Sequence, residues 1–288
     1  MNSILLTGCN GQVGWELQRT LAPLGRVTAI DRNALDLADA DSIRAVLSEV
    51  RPRIIVNAAA YTAVDQAENE ATQALLVNGQ APGVMAEEAK RLGALLVHFS
   101  TDYVFDGNKN GCYVEQDVTN PLNTYGRTKL AGELAIQSSG CRYLIFRTCW
   151  VYGLRGKNFL RTILRLAETK DELRIVADQC GAPTWSRMIA EATAAALATR
   201  TVAEGLFHLA STGSVSWHGF TQAILELTEQ MRLRNPTLTA IPSSDYPQSA
   251  VRPLNSRLSC DLLEQAAGIR LPDWKDALRL CLGGAATA

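Results

Sequence analysis

The sequence predicts a doubly wound α/β fold, in which helices cover both faces of a parallel sheet. Two observations predict it. Short apolar runs alternate with segments of helical periodicity through the first half of the chain, and a glycine-rich turn joins the first apolar run to the first helical segment. With 288 residues, 47% of them hydrophobic and 20% charged, the chain is long enough for one large domain and a smaller lobe.

In the first half, each predicted strand is followed by a predicted helix. The strands are expected at 4–7, 27–30, 54–58, 95–100 and 143–147, and the helices at 11–24, 41–49, 82–92 and 124–138. Asp41 and Ser42 can cap the second helix and Pro52 ends it, whereas Pro82 is typical of a first helical turn. Gly79, Pro82 and Gly83 interrupt what would otherwise be a long helix.

Beyond residue 150 the pattern loosens. Helices are expected near 158–170, 185–199 and 217–231, and short strands near 173–176 and 206–209. Four prolines between 236 and 253 indicate a long irregular connection, and residues 283–288 are expected to fray. We interpret this half as a smaller mixed α/β lobe that closes over a site.

Charge and cysteine content exclude several classes of function. Lys plus Arg number 28 and Asp plus Glu 29, which gives a net charge of -1 and no basic footprint for nucleic acid or an acidic membrane. No signal peptide or membrane span is expected. The seven cysteines include no C-x-x-C pair and the three histidines no i,i+4 pair, which predicts a reduced, cytoplasmic protein without a metal site. A small ligand is therefore expected.

The glycine-rich turn has the pattern of a phosphate-binding turn. Gly8 permits the tight turn, Gly11 allows backbone N–H groups to approach a pyrophosphate, and Gly14 allows the helix to pack on the strand. The other residues of this turn expected at the cofactor are Asn10, Gln12 and Val13. Asp31, 23 residues after Gly8, suits ribose hydroxyls, while Arg32 suits a 2′-phosphate. NADH and NADPH therefore both remain open.

A second constellation suggests acid–base chemistry. Tyr125 and Lys129 are four residues apart, so they share one face of a helix. A neighbouring cation stabilises a phenolate, which would bring the pKa of the tyrosine down toward neutrality from about 10. Thr101 lies where the fourth strand ends, at the edge of the sheet where open α/β folds bind ligands. The pattern alone is also compatible with a surface Tyr/Lys pair.

The glycine spacing, together with Thr101, Tyr125 and Lys129, resembles the extended short-chain dehydrogenase/reductase superfamily. The resemblance implies a Rossmann domain and a catalytic triad made of these three residues, in which Lys129 also binds the nicotinamide ribose and holds down the pKa of Tyr125. It further implies that Asp36 and Leu37 lie beside the adenine, and that the end of the third strand lines the cofactor through Ala58, Ala59, Ala60, Tyr61 and Thr62.

Longer stretches narrow the resemblance to one family. They include 11–17, 56–68, 100–107, 125–133, 147–152, 178–184 and 252–258, and together they resemble the dTDP-4-dehydrorhamnose reductases nearly end to end. The likeness implies NADPH- or NADH-dependent reduction of a dTDP-sugar ketone at C4, giving dTDP-L-rhamnose for the cell envelope. It implies sugar contacts from Thr101, Asp102 and Trp150 and diphosphate contacts from Asn158, Arg252 and Asn255. A homodimer is possible.

Some assignments remain open at this stage. Trp150 is equally well explained as a core residue, and Asp65 and Glu68 are interpreted as surface charges. The expected division places 1–150 and about 173–205 in the dinucleotide-binding domain, and about 151–172 and 206–288 in the sugar-nucleotide-binding lobe. The alternatives are another sugar-nucleotide reductase or epimerase, and a non-catalytic regulatory subunit resembling methionine adenosyltransferase β. A 4,6-dehydratase is disfavoured because Tyr103, not Glu, follows Asp102.

Overall fold

The computed structural model of the chain describes residues 2–199, 204–231 and 234–283. The predicted fraying at 284–288 and part of the segment assigned to 173–205 lie outside these ranges. The strands are β1 (Asn2–Thr7), β2 (Gly25–Ile30), β3 (Ile54–Asn57), β4 (Leu95–Thr101), β5 (Arg142–Thr148), β6 (Val151–Tyr152), β7 (Glu172–Val176), β8 (Cys180–Gly181), β9 (Thr184–Trp185), β10 (Gly205–His208), β11 (Val215–Ser216), β12 (Thr237–Ile241) and β13 (Asn255–Ser256).

The helices are α1 (Gln12–Leu21), α2 (Ala40–Val50), α3 (Val64–Ala67), α4 (Ala71–Leu75), α5 (Ala81–Leu92), α6 (Thr124–Ser139), α7 (Phe159–Thr169), α8 (Ser186–Ala198), α9 (Trp217–Leu227), α10 (Asp261–Ala267) and α11 (Trp274–Gly283). Among the described helices, none has the length and apolar character needed to cross a membrane. The cap of α2 differs from the prediction: the Asp39 side chain accepts from the Asp41 N–H, so Asp39 and not Asp41 or Ser42 is the N-cap.

The central sheet confirms the predicted doubly wound fold. Its six strands are all parallel, in the order β10-β5-β4-β3-β1-β2. Every residue of β3 is buried, which is typical of a strand covered by helices on both faces. One face packs on a core that includes Leu17 and Ile189, and the other on a core that includes Ile43 and Met85. The carboxyl ends of β1, β3 and β4 therefore meet at one edge.

The interrupted segment near Pro82 forms a continuous helix after all. Helix α4, a π-helical turn at Leu76–Gln80 and α5 follow one another without a break. Pro82 has no N–H, and its ring would clash with the carbonyl of Asn78 in a regular α-helix. The wider π turn provides the room, and α5 resumes with the proline in its first turn as predicted.

The smaller lobe is built on short strand pairs. Strand β7 pairs in parallel with β12, and β8 lies between β11 and β13. Helices α7, α9 and α11 enclose its core, which includes Leu160, Phe220 and Leu278. Two boundaries of the expected division move. Strand β10, expected in the lobe, is an edge strand of the central sheet, whereas β7, expected in the dinucleotide domain, pairs with the lobe strand β12.

Candidate functional site

The glycine-rich turn begins where β1 ends. Gly8 has φ +69°, a left-handed conformation that favours glycine, and a Cβ at Gly14 would lie 2.1 Å from the Gly8 carbonyl oxygen. The Gly11 N–H donates to that carbonyl at 2.9 Å. Gly11 is also the N-cap of α1, and it has no side chain to accept from the first N–H groups of the helix. The turn therefore presents the N-terminus of α1 to the sheet edge, which suits a phosphate.

A cleft of about 540 Å³ opens beside this turn. We call it the glycine-turn cleft. The predicted cofactor residues that line it are Gly8, Asp31, Arg32, Asp36, Leu37, Ala59, Ala60, Tyr61 and Thr62. Of the remaining predicted residues, Asn10 donates to Asp31 at 3.2 Å, Gln12 accepts from Asn158 at 2.8 Å, and Val13 and Ala58 pack on the core. Gly11 and Gly14 form the turn and the start of α1, and Tyr125 and Lys129 on α6 do not line this cleft. The structure thus brings most of the predicted cofactor set together.

The loop after β3 is held by a residue that the sequence did not single out. The buried Asn78, in the π turn, accepts from the Tyr61 N–H at 2.8 Å and donates to the Tyr61 carbonyl at 3.0 Å. Its amide also lies 3.3 Å from the hydroxyl of Thr128 on α6. Asn78 therefore fixes the cleft wall relative to the helix that carries Tyr125 and Lys129.

Thr101 and Tyr125 meet at the carboxyl edge of the sheet. Thr101 is buried at the end of β4, and its side chain lies close enough to the Tyr125 phenol to lower the pKa of that phenol. The Thr101 hydroxyl also donates to Asp102 Oδ1 at 3.1 Å and accepts from the Tyr103 N–H. Burial, followed by the negative field of Asp102, raises the pKa of Tyr125 to about 12. The predicted lowering of that pKa is therefore wrong, since burial outweighs any stabilisation by a cation.

Lys129 has buried partners of its own. Its Nζ donates to the Phe99 carbonyl at 2.6 Å and lies 3.1 Å from His98 Nε2, and its side chain is 1% exposed. Burial lowers its pKa to about 8, although the field of Glu133 opposes this. Lys129 therefore changes charge only about one pH unit above neutrality.

Asp102 is a buried acid of the site with one carboxyl oxygen that lacks a hydrogen-bond partner. It is 4% exposed, and its Oδ2 has no hydrogen-bond partner. Burial raises its pKa to about 7, while hydrogen bonds from Ser256 and Thr101 act in the opposite direction. A buried carboxyl with a free oxygen beside a catalytic candidate is the kind of group that a polar substrate satisfies.

A second cleft of about 590 Å³, the aromatic cleft, lies in the smaller lobe, with Phe159, Val176, Gln179, Trp217, Tyr246 and Arg252 among its lining residues. Trp150 stacks on Trp217 with ring centroids 3.4 Å apart and planes 6° apart. Trp150 has φ +48°, a strained backbone conformation for a non-glycine residue. Trp217 lines the cleft and Trp150, which is partly exposed, stacks behind it, so the pair forms one aromatic wall of the aromatic cleft.

Two predicted diphosphate ligands have their side chains occupied within the chain. The Asn158 amide donates to Gln12 Oε1 and to two carbonyls of its own loop, and its oxygen caps α7. The Asn255 amide donates to the Lys109 and Gly111 carbonyls, and its oxygen accepts from Arg257. Both therefore serve to fix loops, and direct contact with a ligand would require these bonds to break.

Asp65 and Glu68 are not the free surface charges that the sequence suggested. Asp65 receives both terminal nitrogens of Arg252, which lowers the pKa of the carboxyl. Glu68 accepts from the Thr124 N–H at 2.7 Å and from its hydroxyl at 3.0 Å. Helix α3 and its C-cap residue Glu68 thus hold the Arg252 loop and the first turn of α6. Arg252 lies 187 residues from Asp65 and Thr124 lies 56 residues from Glu68. The local sequence around either acid therefore could not predict its partner.

The described residues contain no group of three or more His, Cys, Asp or Glu side chains placed to hold a metal ion. All seven cysteines are free of disulfides. Neither observation adds a feature to the site described above.

Comparison with known proteins gives a consistent result. A family model described as the RmlD substrate binding domain matches residues 1–286. A dTDP-4-dehydrorhamnose reductase of Burkholderia thailandensis is 50% identical over 290 residues, covering 97% of each chain, and one of Escherichia coli K12 is 43% identical over 289 residues with the same coverage. The crystal structure of dTDP-4-dehydrorhamnose reductase from Bacillus anthracis in complex with NADP superposes with a TM-score of 0.92 at 33% identity, covering 98% of each chain.

Proposed function

Because this chain belongs to the RmlD substrate-binding-domain family, we propose that its Thr101, Tyr125 and Lys129 carry out the reaction for which its relatives are named. The chain is an oxidoreductase that reduces dTDP-4-dehydro-L-rhamnose at C4, giving dTDP-L-rhamnose for sugar biosynthesis. The observation that carries the residue assignment is the proximity of the buried Thr101 side chain to the Tyr125 phenol at the carboxyl edge of the sheet.

The glycine-turn cleft fits a nicotinamide dinucleotide. Side chains at Gly8 or Gly14 would close the turn, and the N-terminus of α1 faces the place where a pyrophosphate would lie. Asp31 and Arg32 line the cleft side by side, so its chemistry accommodates either NADH or NADPH. When bound, the cofactor supplies a hydride to the ketone carbon.

Negative charge develops on the substrate oxygen as the ketone is reduced. We propose that Tyr125 gives that oxygen a proton and that Thr101 donates a hydrogen bond to it. A phenol whose pKa is raised to about 12 is fully protonated at neutral pH, so it is ready to act as the acid. Lys129 is proposed to bind the nicotinamide ribose through the same Nζ that now donates to Phe99.

The aromatic cleft supports the sugar-nucleotide assignment. The stacked pair of Trp150 and Trp217 supplies apolar aromatic surface at the cleft, and Arg252, which is paired with Asp65, is the proposed contact to phosphate. Asp102, with its free buried oxygen, is the proposed contact to a sugar hydroxyl. Asn158 and Asn255 are proposed to act indirectly, by holding loops at the rims.

We further propose a cytoplasmic location, which the seven free cysteines support, and a homodimer in solution. The proposed division keeps a dinucleotide-binding unit and a sugar-nucleotide lobe, with β10 assigned to the first and β7 to the second.

The test is a reductase assay with purified protein and dTDP-4-dehydro-L-rhamnose, following the loss of absorbance of the reduced nicotinamide with NADPH and with NADH in turn. We expect turnover with at least one cofactor and a product identified as dTDP-L-rhamnose. Tyr125→Phe is the matched variant, since it removes only the phenolic hydroxyl. Absence of turnover with both cofactors would overturn the proposed function.

A further inference from the structure

Four buried side chains form a hydrogen-bonded row behind the triad. The Thr7 hydroxyl donates to Asn57 Oδ1 at 2.8 Å, Asn57 Nδ2 lies 3.1 Å from His98 Nδ1, and His98 Nε2 lies 3.1 Å from Lys129 Nζ. All four side chains are at most 2% exposed. The row runs across the adjacent parallel strands β1, β3 and β4 and ends on α6.

The orientation of the Asn57 amide determines the protons of this row. Asn57 Oδ1 accepts from the Thr7 hydroxyl and from the Ala59 N–H at 3.3 Å, so its amide nitrogen faces His98 and must donate. His98 Nδ1 then accepts, which leaves the ring proton on Nε2. A proton on Nε2 needs an acceptor, and the atom opposite is Lys129 Nζ. The row is therefore complete only when Lys129 is a neutral amine.

An ammonium at Lys129 requires the reverse arrangement. It has three donors and no acceptor, so His98 Nε2 must accept and Nδ1 must carry the proton. Asn57 then has to turn its oxygen toward His98, and its nitrogen can donate to the Thr7 hydroxyl instead. The Ala59 N–H, on the wall of the glycine-turn cleft, loses its partner in that arrangement.

We propose that His98 is a positioning residue that changes tautomer, without becoming charged, whenever Lys129 changes charge. Imidazole suits this task because each ring nitrogen can donate or accept. Lys129 consequently keeps a buried partner in both of its states. The catalytic consequence, that Lys129 stays in place beside the nicotinamide ribose, rests on the proposed function.

The surrounding charges are consistent with a neutral His98. The charged groups that act on the row are Lys129 itself and, on the same helix, Glu133, which is paired with Arg147 of β5. Burial and then the field of Lys129 hold the pKa of His98 well below its ordinary value. The pKa of Lys129, lowered to about 8, places its change of charge in an accessible pH range.

The decisive measurement uses the protein without any ligand. Long-range nitrogen–proton correlation spectra of the imidazoles distinguish protonated from unprotonated ring nitrogens, and His98→Gln identifies the signal of His98. We expect the proton on Nε2 two pH units above the Lys129 pKa and on Nδ1 two units below it, with a neutral ring at both. His208 is the internal control: its Nδ1 lies 3.1 Å from the Ser259 carbonyl, so its tautomer should stay fixed. A single His98 tautomer throughout, or an imidazolium at the lower pH, would overturn the proposal.

Two variants then test the positioning role. His98→Leu removes both hydrogen-bonding options, whereas His98→Gln keeps a donor and an acceptor that exchange by rotation. We expect kcat/KM for the reduced cofactor to fall about tenfold in the leucine variant, which corresponds to about 1.4 kcal/mol, and the glutamine variant to keep most of the activity. Equal losses in both variants would contradict the proposal. Inactivity of the unaltered protein would instead refute the proposed function, and the spectra would still report on His98.

Discussion

The Arg252 guanidinium binds the Asp65 carboxylate with both terminal nitrogens, at 3.0 and 2.6 Å. Arg252 lies in the irregular segment before β13, and Asp65 lies on α3, directly after the loop that lines the glycine-turn cleft. The same carboxylate accepts from the Ala250 N–H at 3.1 Å. Asp65 therefore connects the rim of the aromatic cleft to the elements that surround the proposed cofactor site.

We expect Asp65→Asn to weaken substrate binding more than cofactor binding. An amide can accept only one of the two Arg252 bonds and carries no charge, so the guanidinium loses the orientation that directs it into the aromatic cleft. The KM for the dTDP-sugar should rise about tenfold, while that for the cofactor stays within about twofold. Steady-state kinetics with each substrate varied in turn provides the measurement.

The control for this variant is Asp276→Asn, which removes an exposed Asp–Arg pair on α11. Its kinetics should match those of the unaltered protein. If Asp65→Asn leaves both KM values unchanged, Arg252 does not depend on Asp65 for its place in the site.

Tyr125→Phe should lower kcat by about 10²–10⁴ because the developing oxyanion loses its proton donor. The dissociation constant of the cofactor should change little, since the variant keeps the ring and its edge-to-face contact with Tyr103. Single-turnover kinetics and cofactor titration separate the two effects. Full activity in this variant would remove Tyr125 from the mechanism.

Features set by residues that are close together along the chain could be predicted from the sequence, whereas contacts between distant residues could not. Gly8, Gly14, Tyr125 and Lys129 belong to local patterns whose spacing specifies a turn or a helix face, and those predictions needed no tertiary information. The pairing of Asp65 with a residue 187 positions away has no such pattern.

Strands β7 and β10, each of which the sequence assigned to the other unit, show the same limit of local patterns. Strands β7 and β10 are both short, and only the identity of the neighbouring strand decides which sheet each one joins. The pKa of Tyr125 also depended on a three-dimensional property, because burial and the adjacent Asp102 are invisible in the Tyr-x-x-x-Lys spacing.

Removal of the Asp31 charge should shift the cofactor preference toward NADPH. The carboxylate repels a 2′-phosphate, while Arg32 beside it attracts one. Asp31 also accepts from the Asn33 N–H at 3.0 Å, so Asp31→Ala disturbs the turn as well as the charge. Asp31→Asn keeps an acceptor and removes only the charge. Both variants should raise the ratio of kcat/KM for NADPH over NADH about tenfold; a change confined to the alanine variant would indicate a structural effect of the turn.

The buried ion pair behind Lys129 should be important for stability. Arg147 donates to both oxygens of Glu133, and the two side chains are 5% and 1% exposed. Glu133→Gln leaves a buried guanidinium without its counter-charge, which costs about 3–5 kcal/mol. Urea unfolding measures this loss. Glu87→Gln, in a surface pair with Arg44, is the control and should cost at most about 1 kcal/mol. An equal change in both variants would show that burial of the Arg147 pair does not matter.

Asp102 makes the stability of the protein depend on pH in an unusual direction for an aspartate. Its pKa is raised from 3.8 to about 7 by burial, so between these values the folded protein binds a proton that the unfolded chain releases. The corresponding stability is complete below the unfolded pKa and is lost as the pH rises through the folded one. The shift amounts to at most about 4 kcal/mol. Asp102→Asn, which cannot ionise, should therefore become more stable relative to the unaltered protein as the pH rises from 4 to 8, as measured by urea unfolding at each pH. A constant difference between the two proteins over this range would show that Asp102 is ionised in the folded state throughout, and hence that its free oxygen meets a partner in solution.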